Sequence, residues 1–259
     1  MAHKNCVKKF IGVVAAVGML AVIIGCAAVA YRQFNIPDGI GKVLRYIRPY
    51  HKPDPYFDKV YGYGIDLSHH NAEPDWETLQ VDFIFLKASE GTSYVDPTFS
   101  HRVSMSRRHN IPVGAYHFFS GSGDPKNEFE NFNRQIKGKI DIIPVVDVER
   151  KPKNVSRKKF QQRFVTFISE VKREYGVYPI IYTSEGFYYS YLKRPVEAKF
   201  KGTTEKPVLW FGDVGLQYAR YRLTPHIHQI AIKNIPGING KIDFNELHCE
   251  IDSILLSKI

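Results

Sequence analysis

From Tyr61 onward the chain alternates two kinds of apolar pattern. The runs "YGIDLSHH", "DFIFLKAS", "IPVGAYHFF", "DIIPVVDVE" and "YPIIYTS" are short and β-rich. Between them lie stretches with helical spacing of their apolar residues. "PDWETLQ" predicts a short helix with Pro74 in its first turn. "DPTFSHRVSMSRRHN" predicts a helix opened by Asp96 and Pro97. "DPKNEFENFNRQIKG" predicts another, with Asp124 as N-cap and Gly138 at its end. The clearest is "SRKKFQQRFVTFISEVKREYG", where Phe160, Phe164, Phe167, Ile168 and Val171 form one face between Ser156 and Gly176. After a short helical piece at residues 185–192 the rhythm changes. "PVLWFGDV", "HIHQIAI" and "GKIDFNEL" predict three strands with no long helix between them. A last amphipathic run, residues 247–256, is expected to pack on the outside.

Five β/α units followed by three further strands make eight strands in an α/β protein. Alternation of this kind builds a mostly parallel sheet, and eight strands suit closure into an irregular TIM-like barrel. An open doubly wound sheet is the alternative. No Gly-rich phosphate loop follows the first strand, so the nucleotide-binding form of that fold lacks support.

Residues two apart in a strand share a face. In "PVVDVE" Val145, Asp147 and Glu149 share one face, and Val146 and Val148 the other. In "YGIDLSHH" Asp66 lies with Gly64 and Ser68, opposite Ile65 and Leu67. In "KIDFNEL" Asp243 lies with Lys241 and Asn245, opposite Ile242 and Phe244. Three strands thus put an acid on one face and large apolar residues on the other. In a barrel the acids point inward, near the C-terminal mouth where such folds place active sites. Four carboxylates around one cavity cannot all ionise cheaply, so at least one is expected to hold its proton. A protonated acid beside an ionised one can cleave a glycosidic bond. Two blander readings remain open at this point: acids that cap helices or pair with Lys and Arg, and a divalent-metal site. His69, His70 and His117 also leave a transition-metal site open.

Composition narrows the partners. The 259 residues are 44% hydrophobic and carry 36 Lys+Arg against 26 Asp+Glu, a net charge of +10. This favours an anionic partner such as a membrane surface or an acidic wall polymer; no nucleic-acid motif is present. Cys6, Cys26 and Cys249 imply no disulfide framework and show no metal-ligand spacing. Residues 10–31 contain no charge and, at roughly 20 residues, are long enough to cross a bilayer as a helix. Lys4, Lys8 and Lys9 precede them, favouring a cytoplasmic N-terminus. An uncleaved signal anchor is the preferred reading, ahead of a lipoprotein signal ending before Cys26 and a cleaved secretory signal. Each places the rest of the chain outside the cytoplasm, anchored to the membrane in the preferred case. Three segments are expected: an anchor or signal at 1–31, a Pro-bearing tether at 32–60 and a catalytic barrel at 61–259.

The motifs "YGIDLSHHN", "FLKASEGTSYVDPTF", "PVGAYHFF", "PVVDVE", "PIIYTS" and "GINGKIDFN" occur in an order that resembles glycoside hydrolase family 25, the N-acetylmuramidase lysozymes. The resemblance covers roughly residues 61–247. It implies the same modified barrel, and hydrolysis of the β-1,4 bond between N-acetylmuramic acid and N-acetylglucosamine in peptidoglycan, without a cofactor or metal and by a monomer. The family's Asp-x-Glu falls on Asp147 and Glu149, making Glu149 the general acid; its early and late aspartates fall on Asp66 and Asp243. Its aromatics fall on Tyr116 and Tyr182, suited to packing against a sugar. Glu90, Gln229 and Trp210 are further candidates for substrate contact. Two departures stand near the expected sugar-binding wall: His228 precedes Gln229 where the family commonly has Trp, and "FGDV" follows Trp210. A binding module that keeps the cleft without turnover, or a hydrolase of another N-acetylated glycan, is the alternative.

Overall fold

The computed structural model describes residues 59–212 and 223–258. The apolar run at 10–31 and nearly all of the expected tether lie outside the described residues, as do Asp213 and Val214. Among the described residues no helix is long and apolar enough to cross a membrane.

Nine strands form one sheet: β1 (Gly62–Leu67), β2 (Phe83–Glu90), β3 (Tyr94–Val95), β4 (Val113–Phe118), β5 (Val145–Asp147), β6 (Ile180–Thr183), β7 (Leu209–Phe211), β8 (Ile227–Ile235) and β9 (Ile238–Leu247). β1 pairs with both β9 and β2, so eight strands close into a barrel. β3 is a two-residue spur turned back antiparallel onto β2, which the sequence reading did not foresee. Pairings from β1–β2 round to β7–β8 are parallel. β9 runs antiparallel to both its neighbours. This is the irregular TIM-like barrel expected, and closure excludes the open doubly wound sheet.

The strand parities produce two separate apolar layers. Phe83, Phe85, Val145, Ile180, Trp210, Ile227 and Leu247 point inward and fill the barrel. Gly64 and Gly114 make room for this filling: a Cβ on either would sit 2.1 and 2.3 Å from the rings of Phe83 and Phe85. The alternate residues, among them Ile65, Leu67, Ile84, Leu86, Val146 and Val148, point outward and meet the helices.

Those helices are α1 (Phe99–Arg108), α2 (Pro125–Ile136), α3 (Arg157–Tyr175) and α4 (Glu185–Phe187), which runs through a π-helical turn, Tyr188–Leu192, into α5 (Lys193–Phe200). The Asp124 side chain accepts from the Lys126 amide and that of Ser156 from the Lys159 amide, and Gly176 ends α3 at φ 73°. The buried face of α3 is the Phe160, Phe164, Phe167, Ile168, Val171 stripe.

Two expectations need correction. "PDWETLQ" is a single turn, not a helix. Its Asp75 amide donates to Gly237 O at 2.6 Å, drawing the crossover onto the β8–β9 hairpin, and Trp76 and Leu79 cover the barrel where a helix would lie. The segment after β9 does not pack on the outside as an amphipathic helix. It forms two 3₁₀ turns, Ile251–Ile254 and Leu256–Lys258. Ile254 is fully buried in the inward layer, and its carbonyl accepts from the Ile143 amide at 2.9 Å. The chain thus plugs the barrel at the end opposite its mouth.

Candidate active site

The mouth of the barrel opens into a cleft of about 140 Å³, lined by Asp66, Tyr116, Asp147, Glu149, Tyr182, Trp210 and Asp243. Each carboxylate arrives there by strand parity. Asp66 is on β1, directly paired with Asp243 on β9. Asp147 ends β5, and Glu149 lies two residues beyond, exposed to solvent while Asp147 is buried.

A hydrogen-bonded frame holds these groups. Trp210 Nε1 donates to Asn245 Oδ1 at 2.9 Å, and Asn245 Nδ2 donates to Asp66 Oδ2 at 2.8 Å. Tyr182 donates its hydroxyl to Gln229 Oε1 at 2.7 Å, and Gln229 Nε2 donates to Asp243 Oδ1 at 2.6 Å. Tyr116 lies against Ser68, and the carboxyl of Glu149 lies beside that of Asp147. Oδ1 of Asp147 is buried without a hydrogen-bond partner among the described residues. Asn245 was missed as a functional residue. Its signal was present, since it shares a strand face with Asp243.

Crowding acids in a low-dielectric cleft disfavours their charged forms. Burial, then the charge of Asp243, pushes Asp66 well above the ordinary carboxylate range, against the pull of the Asn245 hydrogen bond. Burial, then the charge of Glu149, does the same to Asp147, with Lys87 opposing. Burial also raises Asp243, partly offset by Gln229.

The remaining candidates are distributed differently. Gln229 stands behind the cleft as an anchor for Asp243 and Tyr182. Glu90 is at the rim, not in the lining, where it accepts from Lys87 Nζ at 2.7 Å and lies 3.9 Å from the Arg150 guanidinium. His228 is not near the sugar-binding wall as expected: it is buried, and alternation along β8 turns it to the outer face while Ile227 and Gln229 point inward. The three histidines do not converge. His117 is fully buried under the helices against Phe132 and Phe167, and its ring contacts Ser89 and Glu128. His69 and His70 sit together outside, with His69 bound to Asp96. Among the described residues no group of His, Cys, Asp and Glu is arranged to hold a metal ion.

The loop behind Asp66 is set by a buried arginine. Arg102 on α1 donates to Ser68 O at 2.7 Å, Asn71 O at 2.8 Å, Ala72 O at 3.3 Å and Glu73 Oε2 at 3.0 Å. Asp96 accepts from the His69 amide at 2.9 Å and so ties the same loop to the start of α1.

The chain is 28% identical over 209 residues to the Escherichia coli K12 protein described as "Uncharacterized protein YegX", covering 74% of this chain and 71% of that one. In fold it is similar to a bacterial lysozyme from Streptomyces coelicolor, with a TM-score of 0.62 and 20% identity over 76% of this chain and 95% of that one. It is likewise similar to a family 25 glycosyl hydrolase from Bacillus anthracis, with a TM-score of 0.61 and 24% identity over 78% and 94%. The profile of glycosyl hydrolases family 25 matches residues 65–227, well over half of the chain and the whole arc from β1 to the start of β8, so this protein belongs to that family.

Proposed function

We propose that this protein is a lysozyme-type N-acetylmuramidase that cuts the β-1,4 bond between N-acetylmuramic acid and N-acetylglucosamine, with Glu149 as general acid. The observation that carries this is the cleft itself, where four carboxylates meet and those of Asp147 and Glu149 lie side by side. In the bound state Asp147 accepts the N–H of the substrate's acetamido group through a carboxylate oxygen. That hydrogen bond favours the ionised form of Asp147, and Glu149 carries the proton to be donated. Glu149 then gives it to the departing glycosidic oxygen as the C1–O bond breaks. The acetamido oxygen forms the new bond to C1, oriented by Asp147. Water next adds to C1, Glu149 takes its proton, and the C1–acetamido bond opens with retained configuration. Asp66 and Asp243 shape the field around the oxocarbenium-like carbon, while Tyr116, Tyr182 and Trp210 pack against the sugar.

A binding module without turnover finds no support in His228, which faces away from the cleft. The charge-free run at 10–31 supports a signal anchor holding a monomeric barrel on the outer side of the membrane. The test is digestion of purified peptidoglycan with the full-length protein, with the new ends identified by mass spectrometry and the first product's anomer by NMR. New reducing ends at muramic acid with retained configuration are expected. Binding without new ends would reject the enzyme, and an inverted product would reject the acetamido-assisted route.

A further inference from the structure

The segment joining β5 to α3 starts one residue after Glu149 and reads "RKPKNVSRKK". It holds six basic residues and no acid between Arg150 and Lys159, beside a net charge of +10 for the whole chain. Because it leaves the C-terminal end of β5, it lies on the same face of the barrel as the cleft.

Its basic groups divide by what they touch. Lys151 is spent on the loop itself, donating to Pro152 O at 2.6 Å and Val155 O at 2.5 Å. Arg150 reaches towards the mouth, its guanidinium 4.9 Å from the ring of Phe118, which pairs in register with Asp147. Lys153, Arg157, Lys158 and Lys159 are exposed, and among the described residues none of them has an acid within ion-pairing distance. Three of these four occupy the first turn of α3, which contains no acid. That is the wrong end of a helix for cations, because the macrodipole there is positive. Ser156 supplies the cap that turn needs, so the lysines are not required to form it. A local rule broken three times without a folding gain marks a surface kept for a ligand.

We propose that this basic rim, Arg150 with Lys153, Arg157, Lys158 and Lys159, binds the carboxylates of the peptide stem carried by the muramic acid residues of the substrate. The proposal rests on the muramidase reading and adds to it the part of the substrate recognised outside the sugar cleft. The stem branches from the same sugar whose glycosidic bond is cut, so it leaves the cleft close to Glu149. A basic strip starting at the next residue meets it, with Arg150 beside Glu90 and the four cations beyond it without an acid partner among the described residues. Exposed charges of this kind act chiefly on encounter and on salt dependence, not on the chemical step.

The test compares the full-length protein with a variant carrying Lys153→Gln, Arg157→Gln, Lys158→Gln and Lys159→Gln. Both act on soluble glycan strands in two forms: peptide-bearing, and stripped of stems by an amidase. The expected result is a KM raised about tenfold on peptide-bearing strands, with kcat unchanged and no change on stripped strands. The wild-type preference for peptide-bearing strands should fade as salt rises. Relief of the helix-dipole clash keeps the variant folded, and its thermal midpoint checks this. Equal loss on both strands, or no loss on either, would overturn the proposal. Retention only on walls bearing phosphodiester polymers would assign the rim to those polymers and overturn it too. If wild-type protein cuts neither strand, the muramidase reading fails. Fluorescence anisotropy of labelled strands then decides the rim alone, with equal affinity for both forms counting against it.

Discussion

At the scale of single residues, the acids in the cleft are arranged for chemistry at the expense of stability. Burial, then the charge of Glu149, raises the folded pKa of Asp147 well above the ordinary carboxylate range. A carboxyl raised in this way contributes stability fully below its unfolded pKa and loses it as pH rises through the folded value. At neutral pH, therefore, the group is a burden on the fold. Asp147→Asn should raise the thermal midpoint at pH 7, and the gain should shrink towards zero as pH falls to about 4. The same variant should lose about 10²-fold or more in kcat, because the amide cannot ionise to orient the acetamido group. A midpoint difference that is flat with pH would contradict the assignment. Glu149→Gln should cost about 10²–10⁴ in kcat with glycan binding intact, and activity within tenfold of wild type would remove it as the acid. The four carboxylates were readable because period-two alternation is strict in strands. Asn245 and Gln229 were harder, since an amide on the inward face states its role only when its partners across the barrel are known. Gly212 could not be read at all: a Cβ there would lie 2.2 Å from the Tyr182 hydroxyl, a closeness set by register alone.

At the scale of elements, caps and apolar stripes located α2 and α3 well, because Asp124, Ser156 and Gly176 act through neighbouring backbone. The turn at Trp76 and the plug at Ile254 were misread for the opposite reason. Their conformations are decided by distant partners, Gly237 in one case and Ile143 in the other. The loop after β1 belongs to this class. Nothing in "SHHNAEPDW" indicates that a buried arginine more than twenty residues later holds it. Arg102→Leu would leave three loop carbonyls without their donor, at a cost of about 2–3 kcal/mol. It should speed amide exchange across residues 68–76 and lower kcat/KM, since Ser68 from that loop lies against Tyr116 in the cleft. Unchanged exchange in that segment would show that the loop stands without Arg102.

At the scale of the whole molecule, the catalytic proposal and the N-terminal sequence agree on compartment, because a muramidase needs a wall to cut. A charge-free segment at 10–31 with lysines before it should keep the intact chain in the membrane fraction, with the barrel open to protease from outside. Fractionation with intact-mass measurement checks this. A lipidated mass beginning at Cys26 would replace the signal anchor with a lipoprotein, and a shortened soluble product would exclude both. The way the barrel closes has a bearing on this as well. Asp66 stands on the first strand and Asp243 on the last, and the hydrogen bond from Asn245 to Asp66 joins residues 179 apart. Contacts of such separation form late in folding. A nascent chain still on the ribosome lacks one wall of its own cleft until β9 has emerged, so the cell that makes this enzyme holds no working blade while translation is under way.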